Sequence, residues 1–270
     1  MEKFKKVMWI IAAIILVVLI GGVIFGYYKK LTMEVKNPIA EIEVENFGTI
    51  KMELYPEKAP ESVANFINLA NREFYNGTKF HRIVKDFMIQ TGSKDGEGKE
   101  NAKLNNLKEG GEEKEYTIKG EFLANKVEND IKFEEGVVGV ARSDYMQYSP
   151  DLKEESYNSG CSQFFIMTKE NKGLNGLYTP FGKVIEGMDV VHKIENVEVK
   201  VPDDSEQTGN TEQSQPVNPP VVKSIKVETF GVDYKLPKTY EPFDMMSWFY
   251  QNYNMGQWSF LGRAKKGSLK

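Results

Sequence analysis

The chain has 270 residues, with 35 Lys and Arg against 39 Asp and Glu, a formal net charge of −4 and a single cysteine. That length holds one good-sized domain with appendages, or two small ones. The mildly acidic balance gives no reason to expect nucleic acid as a partner. The lone Cys161 excludes an intrachain disulfide framework and a cysteine-based zinc site, and two histidines, His81 and His192, are too few for a His-rich metal site.

Residues 7–28 read VMWIIAAIILVVLIGGVIFGYY, without a charge. About 20 apolar residues cross a bilayer as a helix. Lys3, Lys5 and Lys6 precede the run, and Trp9 and the pair Tyr27-Tyr28 sit where interfacial aromatics belong. The expectation is a retained signal anchor: a cytoplasmic tail over 1–6, a transmembrane helix over 7–28, a spacer over 29–38, and the rest outside the cytoplasmic membrane. A cleaved signal peptide is the alternative, with a shorter apolar core and a small-x-small end.

After the spacer, Ala40, Ile42 and Val44 alternate with glutamates, and Ile50, Met52 and Leu54 alternate with Lys51 and Glu53. This pattern predicts a hairpin with one buried face. Pro60 and Glu61 open a helix whose apolar stripe is Val63, Phe66, Ile67 and Ala70, with Asn76-Gly77 as its stop signal. Next comes KFHRIVKDFMIQTG, residues 79–92, a largely apolar run that alternates only loosely and contains Arg82. On residue chemistry alone it is either a core strand whose arginine reaches out to water or an apolar concavity with Arg82 and Gln90 as its placed polar groups.

Residues 93–115 form a charged, glycine-containing loop. Its acidic residues lack calcium-binding spacing and read as a solvated surface. Strands are expected over 116–125, 137–141, 163–168 and 181–184, and a helix after Gly187-Met188-Asp189 with Val190, Val191 and Ile194 inward. Residues 201–220, VPDDSEQTGNTEQSQPVNPP, have the composition of a flexible insertion. Residues 221–230 return to strand character. The tail over 231–270 crowds Phe243, Trp248, Phe249, Tyr250, Tyr253, Trp258 and Phe260 before Arg263, Lys265, Lys266 and Lys270. It either docks on the domain or stays unordered, or else it meets a membrane interface or a partner.

The run FHRIVKDFMIQTG resembles the signature of the cyclophilin-type peptidyl-prolyl isomerases. Ser162-Gln163-Phe164-Phe165-Ile166 and Phe181-Gly182-Lys183-Val184 resemble that family's second and third signatures, in the same order. The resemblance spans 39–199 and a late strand near 222–229. It implies a mainly β fold, a closed eight-stranded antiparallel barrel capped by two helices, over 39–230 with inserted loops at 93–115 and 201–220.

The resemblance also implies site residues. Arg82 would be the donor to the proline nitrogen, and Gln90 would hold a substrate carbonyl. Phe87, Met88, Phe165 and Leu174 would form the proline pocket, with Tyr178 as a wall where eukaryotic relatives often carry histidine. Ala141 and Arg142 would line the groove, Arg142 standing where many relatives have asparagine. Gly173 departs most, because cyclosporin-sensitive members carry tryptophan there, and this counts against cyclosporin binding. No metal or cofactor is implied. The expected partners are proline-containing unfolded or exported polypeptides, and the membrane through the N-terminal helix. The competing class is a proline-peptide binding module without useful turnover, or a membrane-tethered chaperone or scaffold. Of the residues to which the resemblance gives no role, Cys161 reads as buried, His192 as a helix surface residue, and His81 as turned away from Arg82 by strand alternation.

Overall fold

The computed structural model describes residues 1–32, 36–203, 205 and 211–253, in two units, 1–36 and 37–270. The first unit is helix α1, Glu2–Thr32. Its apolar side chains are exposed around the whole helix, from Phe4 to Phe25. The stretch Phe4–Tyr28 is long and apolar enough to cross a membrane. Its 25 residues rise about 37 Å as a helix, more than the roughly 30 Å of bilayer hydrocarbon. A signal sequence near the N-terminus meets the same criterion of length and hydropathy.

The second unit is built on an eight-stranded antiparallel sheet. Its strands are β1 Ile39–Val44, β2 Gly48–Leu54, β3 Arg82–Val84, β4 Met88–Thr91, β6 Val137–Val140, β7 Phe164–Met167, β8 Pro180–Glu186 and β11 Val222–Glu228. Four shorter strands pair apart from it: β5 Thr117–Ile118 with β12 Thr239–Tyr240, and β9 Val199–Lys200 with β10 Gln215–Pro216. The spatial order is β11-β1-β2-β8-β6-β7-β4-β3. The expected hairpin is β1–β2, with Ile42 opposite Ile50.

The expectation of a closed barrel is corrected. The sheet curls into an open half-barrel, and no ladder joins its end strands β3 and β11. The isolated bridge Lys79↔Val221 and the backbone bonds from Phe80 N–H to the Pro220 carbonyl at 2.9 Å and from Val222 N–H to the Thr78 carbonyl at 2.8 Å link the approach to β3 with the start of β11, without a ladder between the two strands. The chain held beside β3 by the Ile83 N–H to Ser214 carbonyl bond at 2.8 Å runs on through Pro216, Pro219 and Pro220. These residues have no N–H to donate, so a continuous ladder cannot form there.

Two helices pack against the sheet. α2, Pro60–Asn71, buries Val63, Phe66, Ile67 and Ala70, the stripe expected from sequence. It ends at Asn71, earlier than the Asn76-Gly77 stop signal. Glu73 takes the left-handed turn at φ 58°, and the Phe74 N–H returns to the Leu69 carbonyl at 3.0 Å. This closes the helix in the way glycine usually does. α5, Met188–Glu195, buries Val190, Val191 and Ile194.

The strand expected over 116–125 is cut to Thr117–Ile118. Beyond it the chain turns inward to place the buried Glu121 at the start of α2, where Ala59 offers no capping side chain. The Glu121 carboxylate accepts from the backbone N–H groups of Glu61 and Ser62, both at 2.9 Å, and from the Ser62 hydroxyl at 2.6 Å. A carboxylate suits a helix N-terminus, where unpaired N–H groups and the helix dipole favour negative charge.

The charged loop over 93–115 and the connection before β7 each carry a short helix, residues 104–107 in the first and α4, Lys153–Tyr157, in the second. The tail also docks, through residues between Thr239 and Phe249. β12 pairs with β5, Phe243 packs against Tyr145 with ring centroids 5.3 Å apart, and Phe249 against Tyr148 at 5.4 Å. A helix over Met245–Tyr253 follows. Trp258, Phe260 and the basic end of the tail lie outside the described residues.

Candidate functional site

The loose alternation of residues 79–92 has a structural cause: both faces of the sheet are apolar there. Ile83, Ile89, Phe164, Ile166 and Val138 face the main core with α2 and α5. The other face carries Val84, Met88, Phe165, Met167 and Val137, which form a second and separate apolar cluster. Residues two apart along a strand share a face, and the register aligns these faces across strands. Arg82 lies opposite Gln90, Val84 opposite Met88, Gln90 opposite Phe165, and Phe165 opposite Gly139. Arg82 and Gln90 therefore sit at one end of the second cluster.

This cluster gathers most of the residues singled out from sequence. Met88 and Phe165 are buried in it, and Phe87, Leu174, Tyr178 and Ala141 pack on it partly exposed. Phe165 stacks on Phe133 at 5.6 Å between centroids and meets the edge of Tyr178 at 6.0 Å. Leu174 arrives on a 3-10 turn, Lys172–Leu174, capped by the Asn171 side chain. Phe87 follows the tight turn between β3 and β4, where Asp86 has φ 57°. The Thr168 N–H holds the Phe87 carbonyl at 3.0 Å.

The polar rim is more specific. The Arg82 guanidinium points Nη1 at the Met88 sulfur, 3.8 Å away. Its Nε and Nη2 donate to Glu212 Oε2 at 3.2 and 2.9 Å. The Gln90 side-chain amide donates to Gln163 Oε1 at 3.0 Å, and Gln163 Nε2 in turn donates to the Gly98 backbone carbonyl at 3.0 Å. The Ala141 N–H is committed to the Gln163 carbonyl at 3.0 Å. Arg142 stands at the far rim, turned toward two aromatic rings. Its guanidinium carbon lies 4.3 Å from the Tyr178 ring centroid and 5.3 Å from that of Tyr157. It also donates to the Leu177 carbonyl and the Ser156 hydroxyl. Its side chain thus braces Tyr178 at the rim of the groove.

His81 differs from expectation. It precedes the first residue of β3, so strand alternation does not govern it, and it lines the same cleft of about 400 Å³ as Arg82 and Gln90. Burial lowers the pKa of its imidazole. Cys161 is buried as expected, and burial pushes its thiol up to about 12, which suppresses thiolate chemistry. His192 lies half-exposed between Glu195, 2.8 Å from Nδ1, and Glu135, 2.9 Å from Nε2. Among the described residues no cluster of metal-ligating side chains occurs.

Three residues of the site escaped the sequence reading. Gln163 shares a face with Phe165, so its i, i+2 position carried a signal. Phe133 lies in an aperiodic stretch, and Glu212 in a low-complexity insertion, where neither periodicity nor motif marks a residue.

The cyclophilin-type peptidyl-prolyl cis-trans isomerase/CLD family model matches residues 39–227. A peptidyl-prolyl cis-trans isomerase of Acinetobacter baylyi is 32% identical over 219 residues, covering 79% of this chain and 95% of the relative. A probable peptidyl-prolyl cis-trans isomerase of Brucella suis is 37% identical over 164 residues, covering 58% of this chain and 74% of the relative. Among solved structures, a Cryptosporidium parvum cyclophilin-type isomerase, crystallised in the presence of the dipeptide Ala-Pro, superposes with TM-score 0.54 at 25% identity. The match covers 70% of this chain and 98% of that one.

Proposed function

The chain belongs to the cyclophilin-type peptidyl-prolyl cis-trans isomerases, and on that premise we propose that Arg82 is the group that lowers the barrier to X-Pro rotation. Resonance in the C–N bond sets that barrier at roughly 20 kcal/mol. In the twisted state the proline nitrogen becomes pyramidal and gains a lone pair. A donor aimed at that nitrogen stabilises the twisted amide more than either planar isomer, and so accelerates rotation in both directions. Arginine suits the task because its fork is rigid and always charged.

The observation that carries the reading is the position of Arg82 Nη1, 3.8 Å from the Met88 sulfur, at the edge of an apolar cluster that also holds Phe165 and Leu174. The cluster offers a proline ring an apolar seat, and Gln90 offers a neighbouring carbonyl a donor. The relative crystallised with Ala-Pro supports a proline-containing peptide as occupant.

The test is exchange NMR on a proline-containing tetrapeptide. Removal of a preorganised donor costs about 10²–10³ in kcat, so Arg82→Ala loses that much while peptide binding persists. Full turnover in that variant sinks the donor assignment. A wild type that binds peptide without turnover makes the protein a binding module instead.

The N-terminal helix supports a second part of the reading. This is a bacterial isomerase tethered by α1, with its domain outside the cytoplasmic membrane, acting on unfolded or newly exported chains. Protease treatment of intact cells tests it: digestion of the domain is expected, and protection refutes it. N-terminal sequencing of the mature protein separates a retained anchor from a cleaved signal sequence.

A further inference from the structure

We propose that Glu212 is a positioning residue for Arg82, holding the outer edge of the guanidinium so that Nη1 is presented to the bound proline. This rests on the reading of Arg82 as the donor. A free arginine has four rotatable side-chain bonds, and its fork samples many directions. Here one carboxylate oxygen, Glu212 Oε2, accepts from Nε and Nη2 together, at 3.2 and 2.9 Å. Those two nitrogens form one edge of the planar group, and fixing that edge fixes the plane. The remaining nitrogen, Nη1, then faces Met88 and the apolar cluster. Gln90, the nearer polar neighbour in sequence, does not do this work, because its amide donates to Gln163.

The geometry favours positioning over obstruction. Glu212 touches the edge of the guanidinium away from Met88, so a peptide seated on the apolar cluster meets Nη1 without displacing the carboxylate.

The carboxylate is also delivered from an anchored base. Two residues on, the buried Ser214 accepts the Ile83 N–H at 2.8 Å, directly beside Arg82, and donates its own N–H to the Lys200 carbonyl at 3.1 Å. β10 pairs with β9, with Gln215 opposite Lys200. The Gln215 side chain accepts the Asp203 N–H at 2.8 Å. The base of an insertion with the composition of a flexible segment is thus tied to the strand that carries Arg82.

Both partners of the pair remain partly exposed, at 36% and 41% of their side-chain surface, so the effect is moderate and sensitive to salt. The experiment measures kcat and KM by exchange NMR for wild type, Glu212→Gln, Glu212→Asp, Arg82→Ala and the double variant Arg82→Ala/Glu212→Gln. Unfolding midpoints serve as the check on folding. Glu212→Gln is expected to lower kcat by about twofold to fivefold, the range of an exposed ion pair, with KM unchanged. Glu212→Asp recovers part of the loss, and the deficit fades as salt approaches 1 M. In the Arg82→Ala background the Glu212 substitution has no further effect.

A kcat that is unchanged or raised in Glu212→Gln overturns the proposal, the raised value indicating a restraint on the site. An equal loss in the Arg82→Ala background also overturns it, since the effect then bypasses the arginine. If Arg82→Ala keeps full activity, the donor assignment fails and the role of Glu212 fails with it. If Arg82→Ala is inactive and Glu212→Gln is not impaired, only the role of Glu212 fails.

Discussion

Gly139 lies opposite Phe165 in the β6–β7 ladder, and its replacement by alanine tests how tightly the second cluster is built. A Cβ there would stand 2.5 Å from Phe165 Cζ and 2.7 Å from Phe133 Cε1. Carbon atoms pack best at about 3.5–4.0 Å, so the overlap is about 1 Å on two rings at once. Both residues are held by their backbones, Phe133 through its N–H to Asn175 and its carbonyl to the Asn171 N–H, and Phe165 in β7 between β4 and β6. Overpacking of this kind costs about 1–3 kcal/mol. Against it stands the usual benefit of replacing glycine, about 0.4–1 kcal/mol from a less disordered unfolded chain.

The net expectation for Gly139→Ala is a destabilisation of about 1–2 kcal/mol. At roughly 2–4 °C per kcal/mol for a domain of this size, thermal denaturation followed by circular dichroism shows a midpoint lowered by roughly 2–8 °C. The rings that must move form the floor of the groove, so kcat/KM falls about fivefold to tenfold as well. The sign is decisive. A raised midpoint with normal turnover means that the rings are not held against the Gly139 backbone, and the account of the apolar pocket as a rigid cluster is then wrong.

Two further outcomes follow from particular side chains. The hydrogen bond to Glu195, with help from Glu135, raises the pKa of His192 above its ordinary value of 6.5. A raised pKa contributes stability that is full below the unfolded value and is lost as pH rises through the folded one. The midpoint difference between wild type and His192→Gln is therefore largest near pH 6 and shrinks by about pH 9; a gap that grows with pH contradicts the assignment. Gly173 tests the clearest departure from the family pattern. A Cβ there meets only the Asn171 carboxamide oxygen, at 3.1 Å, so the site has room for a larger side chain. Gly173→Trp is expected to fold normally and to gain cyclosporin affinity of about tenfold or more, read by indole fluorescence, as burial of an aromatic wall of this size implies. Unchanged affinity means that other residues of the groove set the drug response.

Local chemistry made much of this protein legible in its sequence. The charge-free run over 7–28, the alternation of β1 and β2, and the apolar stripes of α2 and α5 each follow from a periodicity that a short window contains. The three signatures named the family, and with it Arg82, Met88, Phe165 and Leu174. Tertiary structure decided what a window cannot contain. Residues 79–92 alternate poorly because two cores meet on opposite faces of one sheet, which is visible only when β3, β4, β6 and β7 are side by side. The cap of α2 comes from Glu121, 60 residues downstream of Glu61. The sheet stays open because the chain of a distant insertion, held beside β3 at Ser214, runs on through prolines. Glu212 reaches Arg82 across 130 residues, from a segment whose composition promises no structure. Periodicity reports which way a side chain faces within its own element. What meets it there depends on chain folded back from elsewhere.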